Sequence, residues 1–137
     1  MTTRELIQKA IDAIEGNKGD DAINVSVAYA AGWKDIEDFS EYAHWDDEDK
    51  EWIDGWRGTP PYQSINESIP NYCHSLDAIR AEMPAGWFPS IVKSHIYDQF
   101  CVDVHRSDYR AIGHAWNETI ERAWLLALLR AKLAEVE

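Results

Sequence analysis

Cysteine is scarce in this chain, and so is positive charge. Cys73 and Cys101 are its two cysteines in 137 residues. That is too few for a disulfide framework, so a reduced, cytoplasmic setting is expected. Lys and Arg number 13 against 25 Asp and Glu, a formal charge of -12. Gripping nucleic acid through its phosphates needs a basic surface, which excludes long nucleic acid as a partner. An anionic membrane surface is excluded for the same reason. No apolar run approaches the roughly 20 residues of a membrane span. The opening Met1-Thr2-Thr3-Arg4-Glu5 lacks the apolar stretch of a secretion signal. Internal repeats are missing too. So are a Gly-x-Ser-x-Gly elbow, a Walker loop, a Gly-x-Gly-x-x-Gly turn and a His-Glu-x-x-His pair, and with them the usual marks of an enzyme.

What is present fits a globular protein. Hydrophobic residues make up 45% of the chain, enough for a core, and 15.7 kDa suits one domain spanning residues 1–137. Thr2 with Glu5 reads as a capping box. Leu6/Ile7, Ala10/Ile11 and Ile14 follow at helical spacing, and Gly16 ends the helix. A second helix is expected from Asp20 or Asp21 with Ile23, Val27 and Ala30/Ala31 on one side, although Val25 and Val27 suit a strand equally. Gly32 ends that segment. Ser75 reads as the N-cap of a short helix carrying Leu76, Ile79 and Met83 and stopped by Pro84. Residues 88–96 and 97–106 alternate as an antiparallel pair with its turn within residues 94–99. Residues 117–135 read as a long helix whose Leu125, Leu126, Leu129 and Leu133 widen the apolar stripe to most of the circumference. Such a helix is either central to the core or covered by another subunit.

Residues 35–54 stand apart. Ten carboxylates and one lysine leave a charge of -9 in that segment, interleaved with Phe39, Tyr42, Trp45 and Trp52. So many large aromatics predict that this acidic, aromatic-rich insert, at about 35–60, packs on the body.

Several blocks occur in a telling order: Ala31-Gly32-Trp33; Pro70-Asn71-Tyr72; Ser75-Leu76-Asp77-Ala78; Met83-Pro84-Ala85-Gly86-Trp87; and the Ala/Leu-rich run from Glu121 to Ala131. On these the chain resembles the phage ABA sandwich domain, a family of small bacteriophage and prophage proteins. The resemblance covers about half the chain, mostly beyond Pro70. It implies an α+β fold, an α-β-α sandwich with a small antiparallel sheet covered by helices and closed by a long C-terminal helix. It brings no catalytic residues, and the acidic insert departs from its pattern. It also implies an accessory role against host defence.

Two functions follow from different classes. The first is a non-enzymatic, homo-oligomeric binder, associated through its last helix, that sequesters a small anionic, nucleotide-like signal. Its ligand residues would be Lys93, His95, Tyr97, His105, Arg106 and Tyr109, the chain's basic and aromatic cluster. The second is an acidic inhibitor of a basic host protein, presenting Trp45, Asp46, Asp47, Glu48, Asp49 and Trp52 as a mimic of nucleic-acid phosphates. Asp46 to Asp49 lack the glycine an EF-hand loop needs at its sixth position, so calcium is not expected there. Cys73, His74, Cys101 and His105 are zinc-ligand types, but their spacing matches no zinc motif. A metal-dependent enzyme ranks third, and no cofactor or metal is expected.

Overall fold

The computed structural model describes residues 1–39, 44–48, 50–53, 55–108 and 110–136, and of residues 44, 46 and 51–53 the backbone alone. Helix α1 (Thr3–Glu15) begins as the sequence predicts: the Thr2 hydroxyl accepts the Glu5 N–H at 3.1 Å. Ile7, Ala10, Ile11 and Ile14 face the core. The N–H of Gly16 closes the helix on Asp12, and Asn17 turns the chain at φ +51. Helix α2 (Asp20–Ala30) has no side-chain cap, but Asp20 and Asp21 place negative charge at the positive end of its dipole. Burial of Ile23, Val27 and Ala28 at helical spacing decides against a strand there.

The insert folds into strands. β1 (Lys34–Asp38), β4 (Trp56–Thr59) and β5 (Glu67–Ser68) form one antiparallel sheet in the order β1-β4-β5. β2 (His44–Asp46) and β3 (Glu51–Ile53) pair as a hairpin between its strands. A one-turn 3-10 helix (Tyr72–His74) then leads into α3 (Leu76–Ala81), where the Ser75 hydroxyl accepts the Ala78 N–H at 3.1 Å. Leu76 is exposed, and Ile79 is the buried anchor of this turn and a half of helix, helped by the partly buried Ala78 and by Met83 just past its end.

A second sheet follows. β6 (Phe88–Lys93), β7 (Phe100–His105) and β8 (Ala111–Asn117) run in that order, all antiparallel, with a shift between Val104 and His105. The expected hairpin is β6 and β7, and β8 is an addition. Val102, Val104 and Ala115 on the inner face are fully buried. Against them lies α4 (Ile120–Val136), whose first turn is held by the Thr119 hydroxyl accepting the Arg122 N–H at 3.2 Å.

α4 is the centre of the molecule. β7 and β8 cover one side of it, and α1, α3 and the 3-10 turn cover others. Val27, Ala30 and Ala31 of α2 close over Leu125, Leu128 and Leu129. All residues of α4 from 123 to 129 are buried. Each buried Leu or Trp there contributes about 2 kcal/mol. The apolar circumference that pointed to a second subunit is thus covered within one chain.

The class is α+β, with small antiparallel sheets and a long C-terminal helix. The helices gather on one face of the β6–β8 sheet, so the layers run sheet, α4, then α1 with α2. The other face carries Asp103, His105 and His114, polar groups costly to bury under another helical layer. Among the described residues no helix is long and apolar enough to cross a membrane.

Candidate functional site

Three surfaces carry the chemistry. The first is the acidic sheet. In β1, Ile36 is 9% exposed and sits in the core, while Asp35, Glu37 and Asp38 face solvent. The register shift between Lys34 and Glu37, with Asp35 in the left-handed region at φ +54, lets a strand this polar bury its single apolar side chain. The Ile36 N–H donates to the Tyr29 hydroxyl at 3.3 Å, tying β1 to α2. Gly58 completes the anchor, since a Cβ there would stand 2.7 Å from Cγ1 of Ile36 and 2.9 Å from the Lys34 carbonyl. The buried Arg57 guanidinium donates to Oδ1 of Asn66 at 3.0 Å and to the Ser68 hydroxyl at 3.1 Å, fastening β4 to β5. Beyond this sheet Trp45, Asp47 and Glu48 are exposed on the β2–β3 hairpin, Trp45 to 46%. The insert reaches the core through Ile36 and the partly buried Trp56, while these carboxylates and Trp45 stay outside. Of the other residues expected here, Asp49 and the side chains of Asp46 and Trp52 lie outside the described residues.

The second surface is the β6–β7 hairpin, and it divides the expected ligand residues. Lys93 pairs with Phe100 and Phe88 with His105 in register. Five residues at about 3.3 Å each separate the two ends of the hairpin, roughly 16 Å. Lys93, His95 and Tyr97 occupy the turn end. There Lys93 lies 3.6 Å from Asp98 and 5.6 Å above the Phe100 ring, and the Ser94 hydroxyl accepts the Ile96 and Tyr97 N–H groups. His105 and Arg106 occupy the other end, His105 stacked on Phe88 at 5.3 Å and Arg106 paired with Glu135 of α4 at 3.0 Å. One small ligand cannot span both groups, and the two cations already have carboxylate neighbours. Tyr109 lies outside the described residues.

The third surface is the open face of the same sheet. Cys101 and Asp103, two apart on β7, share that face, and His114 of β8 stands opposite Asp103 in register. Nδ1 of His114 is 2.6 Å from Oδ1 of Asp103 and 3.8 Å from Sγ of Cys101. Burial, then the charge of Asp103, pushes the Cys101 thiol up. Cys101 therefore keeps company with His114 and Asp103, not with Cys73 and His74. The latter two belong to the far side of α4. The Cys73 N–H donates to Oδ1 of Asn24 at 3.0 Å, its thiol faces the Asp20 carbonyl, and burial raises it to about 11. His74 meets Asp20 at 2.5 Å, and Arg122 reaches the other oxygen of Asp20 at 2.8 Å. Hydrogen bonds from Arg122, then His74, hold the Asp20 carboxyl below its ordinary value. The four ligand types read from the sequence do not form one group. His114 was missed because only the β8 register brings it to β7.

An open cleft of about 680 Å³ lies between α1, α2 and the start of β1, lined among others by Lys9, Val25, Tyr29, Trp33 and Lys34. Family models, curated proteins and solved structures compared with this chain give no match.

Proposed function

We propose that this chain is a non-catalytic binding protein that docks a basic protein partner on its acidic sheet. One observation carries the reading: a charge of -9 is concentrated in residues 35–54, where Asp35, Glu37 and Asp38 face solvent from a strand anchored in the core by Ile36 and Gly58, and Asp47 and Glu48 are exposed on the β2–β3 turn. A charged loop would lose entropy on ordering, whereas strands of fixed shape have already met that cost. Trp45 supplies an exposed aromatic anchor beside the acidic turn. The resemblance to phage ABA sandwich proteins supports a host protein as that partner.

The test is capture of the partner from a bacterial lysate, its identification, and a titration of the purified pair against salt. Affinity should fall steeply as salt rises. Neutralising Asp35, Glu37, Asp47 and Glu48 together removes four rim charges worth about 0.5 kcal/mol each, roughly a 30-fold loss. Capture that ignores both salt and these substitutions overturns the reading.

A second reading, sequestration of a small anionic nucleotide-like ligand, is favoured by the cleft. The half-buried Tyr29 offers a ring there, and Lys9 and Lys34 positive charge. Native mass spectrometry with a panel of cyclic and linear nucleotides tests it. A Lys9→Ala, Lys34→Ala double variant that binds as the parent does would refute it.

A further inference from the structure

The trio on the open sheet face invites two chemical readings, and geometry separates them. A thiol–imidazole–carboxylate relay needs one neighbour at each ring nitrogen, so that the proton taken at one is balanced by the contact at the other. Here both neighbours address the same atom, Nδ1 of His114.

Convergence of three donor atoms on one point is what a metal requires. Sγ of Cys101, a carboxylate oxygen of Asp103 and a ring nitrogen of His114 all lie within 4.8 Å of one another. Tetrahedral zinc, with bonds of about 2.3 Å to sulfur and about 2.0–2.1 Å to nitrogen or oxygen, sets S and N about 3.6 Å apart and N and O about 3.4 Å apart. The observed S–N separation of 3.8 Å is already close. The 2.6 Å hydrogen bond between His114 and Asp103 would open by about 0.8 Å. Both side chains have the room, being 53% and 36% exposed. We propose that Cys101, Asp103 and His114 bind one divalent transition-metal ion of the zinc type, with a fourth position open to solvent.

The supports of such a site are in place. β7 is the central strand, so two of the ligands have a paired strand on each side. Trp116, opposite Cys101, sets its ring edge-on to His114 at 6.2 Å and 82°, restricting the imidazole. Arg130 of α4 donates to the His114 carbonyl at 2.8 Å, tying the ligand strand to the core helix. Outer contacts of this kind orient a ligand ring. The mixed sulfur, nitrogen and oxygen set favours zinc or cobalt over magnesium or calcium.

The experiment uses the purified full chain, stripped with a chelator and titrated with Co²⁺. One equivalent should bind with a thiolate-to-cobalt charge-transfer band in the near ultraviolet, and one equivalent of Zn²⁺ should abolish the band. Cys101→Ser should remove the band, His114→Ala should weaken Zn²⁺ binding at least tenfold, and Cys73→Ser should leave both unchanged. A chain without the band, a band that survives in Cys101→Ser, or a band lost in Cys73→Ser overturns the site. Should Cys101→Ser fail to fold, His114→Ala and Asp103→Asn carry the same decision, because unchanged affinity in both refutes it. Carboxylates elsewhere on this acidic surface cannot mimic the result, since the band reports sulfur.

Discussion

Gly113 sets the distance between β8 and α4, and replacing it with alanine tests the central packing of the fold. A Cβ at Gly113 would lie 2.1 Å from the Ala127 carbonyl oxygen, 2.9 Å from Cβ of Ala131 and 3.0 Å from its nitrogen. Ordinary contact begins near 3.4 Å, so the helix must retreat by more than an ångström. The obstructing atoms are backbone and one alanine Cβ, so no side chain can swing aside. Overpacking of this kind costs about 1–3 kcal/mol. Alanine returns about 0.5–1 kcal/mol by restricting the unfolded chain. An overlap this deep against backbone puts the cost at the upper end of that range, about 3 kcal/mol, so the expected net loss is about 2 kcal/mol, or about 8 °C in Tm for a domain of this size. Urea melts followed by Trp fluorescence, with the slope unchanged from the parent, measure it. Gly55 is the control: its φ is +70 and an added Cβ would meet no described atom within 4 Å beyond its chain neighbours, so alanine there meets left-handed strain, about 1 kcal/mol. A Gly113→Ala protein within 0.5 kcal/mol of the parent, or one more stable than Gly55→Ala, would mean that α4 does not lie against β8 as described.

Three further outcomes are expected. Asn24→Ala removes a bridge in which Asn24 donates to Asn71 at 2.9 Å and accepts the buried Cys73 N–H at 3.0 Å; it should cost about 2 kcal/mol in urea melts, while Asn24→Asp, which keeps the acceptor, should cost less. Asp20 has its carboxyl held down by Arg122 and His74, so its contribution is present above the ordinary value of 3.8 and lost as pH falls through the lower folded value. Asp20→Asn should therefore lower the Tm at pH 7, with the gap closing well below pH 3.8; a gap independent of pH would show that the charge is not the cause. Arg57→Met abolishes the fan of donors to Asn66 and Ser68 and should cost about 2 kcal/mol while loosening residues 66–68 to hydrogen exchange, and unchanged protection of those amides would contradict the tie between β4 and β5.

Where a local rule decides structure, the sequence was readable. Thr2 with Glu5, Gly16, Ser75 and the alternation around Phe100 each mark a boundary through a contact within a few residues, and those boundaries hold. β8 was not legible because its inward positions are Gly113 and Ala115. A strand is recognised by large apolar residues on its buried face, and here the helix comes so close that only the smallest residues fit. Missing β8 meant missing His114, and with it the company Cys101 keeps. A Cys-x-Asp step on a strand was the one available signal. β1 escaped for the opposite reason: Ile36 alone is buried among charged neighbours, which no periodicity reveals. The hairpin was placed correctly, yet its register set the expected ligand residues at opposite ends.

The central position of α4 also governs the order in which this fold can be built. Residues 3–15 rest on a helix formed by residues 120–136, so the first helix made waits for the last. Contacts that far apart in sequence slow folding, because the loop between them must close before any reward arrives. On the ribosome the N-terminal two-thirds emerge with Ile7, Ile11, Ile14, Ile23 and Val27 lacking the surface that will cover them. The core therefore closes only once α4 is made, because a chain ending before residue 120 lacks the helix on which these side chains rest.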